Sequence, residues 1–426
     1  MPSVRLPILT LAVREQRYSC HGCGNCCRDF TVQLREEDLK KLQAQGWEEK
    51  LGRPVTVEFK GVTYLRQRED GACVFLMDDG LCRIHKEFGF GEKPIACQLF
   101  PFHLTPGSSG IAMGINFACQ SVLENKGAEL RTHLNELNRM RGILSELGAA
   151  QQPSPMLTAR LRASKREEQS LVEHAEHWMR RDELPLDQRL DGLAWVVSSL
   201  AQAKIENVRE DRFADLLDVL FGALPEELEH HPIDPPTARQ SRMLRQAVFA
   251  RTEDPKLNVI EKQGRWRTTL AQLSRSRRFK RGAGAAPRIG EGWPAEVPME
   301  SVGRVALGAD HDDVKAIDDL VTRYMRATIL GGRCWGAGYY GWSMVDGLQA
   351  LLLNVAVIGW LSRLHALGRG QEHLNIIDVR ASIGRVDRTA GRARWLGGAM
   401  ERLRLKYLMM DDGLRRLLRE QWATSN

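Results

Sequence analysis

Eight of the nine cysteines fall within the first 119 of 426 residues, at positions 20, 23, 26, 27, 73, 82, 97 and 119, and only Cys334 lies beyond them. Thiols at this density are either cross-linked or hold metal, and the redox setting decides between the two. Met1 to Tyr18 carries charges at Arg5, Arg14, Glu15 and Arg17 and no long apolar run, so it does not read as a secretory signal. A cytoplasmic location is expected, and with it metal rather than disulfides.

The spacing narrows the chemistry. Cys20-x-x-Cys23-x-x-Cys26-Cys27 sets three thiols at i, i+3 and i+6, as in the ferredoxin-type runs where a distant fourth cysteine completes one cluster. Gly22 and Gly24 permit the tight turns that such convergence demands. In extended backbone Cys27 points away from Cys26 and is available to a second site. Eight thiols divide into two sets of four, or into one cluster plus unligated or catalytic cysteines, and spacing does not choose between these. Zinc sites commonly draw on two C-x₂₋₄-C pairs. Cys73, Cys82, Cys97 and Cys119 are isolated, which favours an iron–sulfur cluster of the 4Fe-4S type over zinc. His21, His85 and His103 lie beside the cysteines; hydrogen-bonded structural roles are expected for them, although His85 follows Cys82 at a workable ligand spacing.

Around these residues the chain is expected to be mainly α, with a small N-terminal α+β cysteine-rich metal-binding domain over 1–125. A helical region follows over 126–280, then a linker over 281–300 and a C-terminal helical region over 301–426. Phe30, Val32 and Leu34 alternate as a strand would, and REEDLKKLQAQG reads as a helix. Val55, Val57 and Phe59, then Lys60-Gly61, then Val62 and Tyr64 spell a hairpin. The segments between the other cysteines are short and rich in Gly and Pro, so bound metal would replace a missing core. Further on, Leu186, Leu190, Leu193, Val197 and Leu200 form a helical stripe. Phe213 to Leu224 marks a second helix stopped by Pro225, and Met243 to Val248 a third. Asp312 to Leu330 reads as helix, followed by a glycine-rich turn and three more helices. Leu348 to Leu361 is apolar but too short to span a bilayer, which needs about 20 residues, so a buried core helix is expected.

Five segments in order resemble a known family: Cys20-x₂-Cys23-Gly-x-Cys26-Cys27, Cys73-Val-Phe-Leu, Cys82-Arg-Ile-His, Lys93-Pro-x-x-Cys97, and the Phe-Pro that follows. The pattern is similar to the CxxCxxCC cysteine-cluster proteins, zinc- or iron-chelating by description, over about residues 18–122. His85 departs from it, standing where the family more often has tyrosine. Within that family the overall build resembles flagellin lysine N-methylases, which also carry a late cysteine like Cys119 and a long helical region. The resemblance implies an iron–sulfur protein that transfers a methyl group from S-adenosylmethionine to lysines of flagellin or another protein substrate. It assigns the eight cysteines individually and no residue for the methyl donor or acceptor.

Other signals point elsewhere or nowhere. Gly336-Ala-Gly338-Tyr-Tyr-Gly341 matches G-x-G-x-x-G, but the stretch before it reads as helix and no acid occurs between Asp346 and Glu372. A glycine-rich helix connection is the expected role, and no conventional Rossmann methyltransferase is visible. The formal charge of +7 is smaller than the eight basic residues that fall, without one acid, between Lys262 and Arg281. Its last part, Arg275, Arg277, Arg278, Lys280 and Arg281, reads as a solvated helix end beside a linker, interrupted only by Phe279 as a stacking group, so nucleic acid is not an expected partner. No membrane partner is expected either, for want of a spanning segment. Cys334 reads as a lone structural thiol. Hydrolase and kinase motifs are absent from the sequence. A second class of function stays open: a non-catalytic or redox metal-cluster protein whose helical part binds a protein partner.

Overall fold

The most apolar stretch of the sequence becomes the axis of the structure. A computed structural model of the chain describes residues 8–11, 15–108, 110–144, 153–231, 233–254, 257–290, 292–308 and 310–423. Met344–Gly368 forms a single helix of 25 residues, buried on every side from Met344 to Ala366. Among the described residues it is the one helix long and apolar enough to cross a membrane, but 94% of its most apolar window is buried inside the protein. A helix apolar all round belongs in a core, and this one is in it. Ser343 caps its start by accepting from the Asp346 amide at 3.1 Å. Arg363, near its end, donates to the carbonyls of Val305, Glu420 and Gln421 at 2.7–3.0 Å, which ties down the last turn of the C-terminal helix.

Four helices lie against this axis: Leu186–Gln202, Ala238–Thr252, Ile376–Thr389 and Gly413–Trp422. The stripe Leu186, Leu190, Leu193, Val197 and Leu200 is buried, as its period requires. Two expectations need correction. Pro225 does not only end a helix: it sits in the first turn of the next one, Leu224–His230, where its missing amide costs nothing. Four α-helices, not three, follow the glycine-rich turn among the described residues. The last pair is split because Asp411 and Asp412 adopt positive φ (50° and 51°), a conformation that Asp tolerates and that a helix does not. The described residues of 282–298, rich in Gly, Ala and Pro, form neither helix nor strand; Ala286, Ile289 and Val297 are buried and the Ala286 amide bonds the Val297 carbonyl at 2.7 Å.

The N-terminal region carries the small strand pieces. Thr56–Phe59 pairs antiparallel with Val62–Leu65, and Lys60 and Gly61 both take positive φ, the geometry of a two-residue primed turn. The strand expected at Phe30–Leu34 is reduced to a bridge between Gln33 and Tyr64, though Leu34 and Leu65 still exchange amide bonds across it with Thr63 and Val32. A second hairpin, Phe102–Gly107 with Gly110–Ile115, is joined by the parallel strand Ile8–Leu11.

Two cores result. The smaller holds eight buried side chains, among them Trp47, Phe75 and Ile84, with Cys73, Cys82 and Cys97 packed on it. The larger runs from Tyr18 and Phe102 through the helices to Trp422, and Cys119 packs on that one. The segment after Phe102 is therefore welded to the helical body. Arg333 lies across Gly114 and donates to the Ile115 carbonyl at 2.5 Å and to the Asp387 carboxylate at 3.0–3.2 Å.

Candidate metal centre

Close backbone contact builds the site. Gly22 and Gly24 have φ of 69° and 70°, a region where a side chain is strained. A Cβ at Gly80 would lie 2.6 Å from the Gly22 carbonyl, so the 77–81 turn and the Cys20–Cys27 run touch backbone to backbone. The Cys73 amide donates to the Cys27 carbonyl at 2.7 Å, and Leu76 bridges Cys82. Cys73 and Cys82 are thereby held against the N-terminal run. Buried Asp38 accepts from the Ile95 amide at 2.9 Å and fixes the helix Ile95–Leu99 that bears Cys97.

Short helices recur around the thiols. Cys26 and Cys27 lie in the first turn of Asn25–Asp29, and Cys97 in the first turn of Ile95–Leu99. Cys82 and Cys119 are the N-cap residues of Arg83–Phe88 and Gln120–Leu123. Helix starts expose N–H groups and the positive end of the peptide dipoles, which suits thiolate ligands. Backbone amides of Asn25, Phe75, and Ser121 with Val122 reach the thiols of Cys23, Cys73 and Cys119 respectively, and each favours the thiolate. The Lys93 ammonium acts the same way on Cys26 and Cys97.

Against these, burial pushes Cys73, Cys97 and Cys119 up to about 12, and it raises Cys23 as well. Cys26 rises well above the ordinary thiol range because of the neighbouring Cys27 thiol and then burial. A metal that binds here must therefore expel protons.

The charges of the thiols fall into two neighbourhoods. Cys23 feels Cys20 and Cys26, and Cys119 feels Cys23 and Cys26. Cys73 feels Cys97, Cys82 and Cys26, and Cys97 feels Cys82 and Cys26. Cys26 stands between them, and its Sγ lies 4.0 Å from that of Cys27. The expectation that Cys27 points away from Cys26 is wrong for a local reason: the pair sits in a helical turn, where successive side chains diverge by about 100°, not in extended backbone. Cys20 and Cys23 are exposed and the other six half-buried, so the region opens to solvent at the N-terminal run. Among the described residues, no three His, Cys, Asp or Glu side chains converge closely enough to grip one ion as they stand.

The histidines stand in structural surroundings. His85 is exposed and meets Phe90 edge-on, and His21 is exposed. His103 bonds Asn116 and is pushed down to about 3 by burial, with Arg333 and Arg392 adding to it. Two neighbours of the thiols were missed in the sequence. Lys93 was in view within the Lys-Pro-x-x-Cys97 motif; Tyr18, whose hydroxyl is raised by burial and by Cys20, Cys119 and Cys26, carried no signal. Cys334 is buried beside the glycine-rich loop, and burial raises it. Gly336–Gly341 forms a loop between the helices His311–Leu330 and Met344–Gly368, with no strand leading into it.

Residues 19–126 match the model of the CxxCxxCC family, described as "Putative zinc- or iron-chelating domain". All eight clustered cysteines fall inside that span. An uncharacterized protein of Methanocaldococcus jannaschii is 36% identical over 87 residues, a match spanning 20% of this chain and 29% of the relative. No solved structure matches the chain.

Proposed function

We propose that the CxxCxxCC domain holds an iron–sulfur centre of the 4Fe-4S type on thiols drawn from Cys20, Cys23, Cys26, Cys27, Cys73, Cys82, Cys97 and Cys119. The carrying observation is that the thiols are gathered, each neighbourhood supplied with N–H donors or Lys93, yet not converged on a point. A lone zinc ion needs four ligand atoms about 2.0–2.3 Å from one centre, whereas a sulfide-bridged cluster accepts thiolates spread around a larger body. When bound, such a centre supplies one-electron chemistry; the chain supplies burial, N–H donors and a nearby cation to tune it. Variants from each neighbourhood, Cys23→Ser and Cys97→Ser, should each lose bound metal. Full metal content in both would refute this ligand set.

For the whole chain we propose a flagellin-type protein lysine N-methylase using S-adenosylmethionine. The family resemblance supports it, and so does Cys119: the late cysteine shared with those enzymes stands within charge reach of Cys23 and Cys26 rather than apart. A lysine amine, ordinarily near pKa 10.4, must lose its proton before it attacks a methyl group. Asp78 and Asp79 are exposed turn acids, Asp79 accepting from the Leu81 amide at 3.0 Å, and neither is placed to act as a buried base. The test is anaerobic incubation with labelled S-adenosylmethionine and purified flagellin. Label on flagellin lysines, lost in Cys26→Ser protein that still binds the methyl donor, is the expected result. Metal-loaded protein without affinity for S-adenosylmethionine would instead establish a non-catalytic or redox cluster protein that binds a partner.

A further inference from the structure

The basic segment of the sequence becomes the helix Arg265–Arg281, and the fold exposes a face of it that composition does not reveal. Thr268 and Phe279 turn inward and are buried. On the opposite side Trp266, Leu270 and Leu273 are 84%, 62% and 49% exposed. They follow the helical spacing i, i+4, i+7, and Arg277 and Arg281 continue the same stripe. Arg275 is held by Glu253 at 2.8 Å, whereas Lys262, Arg265, Arg267, Arg278 and Lys280 are exposed around the stripe. No acid occurs from Lys262 to Gly290. At the helix start, Arg265 lies 5.3 Å from the Phe59 ring, which brings exposed Lys60 and Glu58 of the hairpin alongside.

We infer that this face docks on an anionic phospholipid surface. Three apolar side chains stand outermost on a convex helix, with cations at both ends of the row. That is the arrangement of an interfacial helix, which sinks Trp and Leu to headgroup depth while Arg and Lys meet lipid phosphates. A shallow depression lined by Leu270, Leu273, Ser274, Arg277, Arg278 and Arg281 offers headgroups a seat. Nucleic acid fits less well, because Phe279 is buried and Trp266 stands as a single exposed aromatic in line with Leu270 and Leu273, so successive bases find no row of stacking platforms. A protein groove would need carboxylates registered to many fixed cations, whereas lipids diffuse to match them. The expectation of no membrane partner was based on the lack of a span; surface docking needs none.

Flotation of the full chain with vesicles of phosphatidylcholine alone, or with about 30% phosphatidylglycerol, tests this. Binding to the anionic vesicles only, weakened by salt, is expected. Arg277→Glu with Arg281→Glu should lower the partition coefficient at least tenfold, at about fivefold for each cation removed. Trp266→Ala with Leu270→Ser should weaken binding and leave its salt dependence intact. These residues are exposed, so folding is unaffected, as circular dichroism should confirm. No binding to anionic vesicles at low salt, binding unchanged in the arginine variant, or retention of a single-stranded oligonucleotide or an acidic polypeptide through the stripe in place of vesicles would each overturn the inference.

Discussion

Replacing Asp387 by Asn probes the weld between the cysteine-rich region and the helices. The Asp387 carboxylate accepts from both Arg333 guanidinium nitrogens at 3.0–3.2 Å and from the Phe117 amide at 2.6 Å. The two side chains are 2% and 6% exposed. An asparagine keeps an acceptor for Phe117 and nearly the same volume, so the change isolates the charge. Arg333 cannot escape to water: a Cβ at Gly114 would lie 2.6 Å from its Cδ, so the side chain is pressed along that strand. Stranding one member of a buried ion pair costs about 3–5 kcal/mol, a large part of the roughly 5–15 kcal/mol that holds an ordinary domain together. Removing both charges, with Arg333→Met and Asp387→Leu, should cost well under the sum of the single losses. Urea unfolding at constant metal content measures Asp387→Asn, the single variants Arg333→Met and Asp387→Leu, and their double. A cost below about 1 kcal/mol for Asp387→Asn, or strict additivity in the double variant, would refute a buried pair in which each charge depends on the other.

Three further outcomes are expected. Cys23→Ser or Cys26→Ser should lower hydrogen-exchange protection across residues 19–122 more than in the helices, because the small core has only eight buried side chains; equal protection in variant and parent would count against metal support. His103, ordinarily near 6.5, is held down to about 3, so the folded state resists its protonation. Below about pH 6.5 the unfolded chain takes up a proton that the folded chain refuses, and stability should fall by up to about 2 kcal/mol on reaching about pH 5, less steeply in His103→Gln. Gly347→Ala should destabilise the protein by about 1–3 kcal/mol or more, since its Cβ would overlap the Cys334 carbonyl; an unchanged urea midpoint would contradict the packing of the glycine-rich loop.

Periodic burial was the part of this fold legible in the sequence. The stripe from Leu186 to Leu200 and the hairpin around Lys60-Gly61 declare themselves because one side chain in three to four, or in two, faces a core, and the run inside Met344–Gly368 declares itself by being apolar all round. Phe102–Gly107 with Gly110–Ile115 escaped notice because Gly and Pro interrupt the alternation, and Pro106 still pairs in register with Ile111. The cysteine motif located the site but not its internal order. That order depends on whether Cys26 and Cys27 occupy helix or extended backbone, which is decided by Gly24 at positive φ and by the loop from Leu76 to Cys82 packed across it. Tyr18 reaches the thiols by tertiary contact and leaves no trace in spacing. The exposed Trp266 stripe was hidden for the same reason, since only the packing of Phe279 shows which way the helix faces.

The most direct measurement is made on protein purified without air: iron, zinc and acid-labile sulfide per chain, together with the absorption spectrum. Iron with sulfide, and a broad charge-transfer band near about 400 nm, is the predicted result for thiolate-bound iron–sulfur chemistry. Stoichiometric zinc with no sulfide would contradict it.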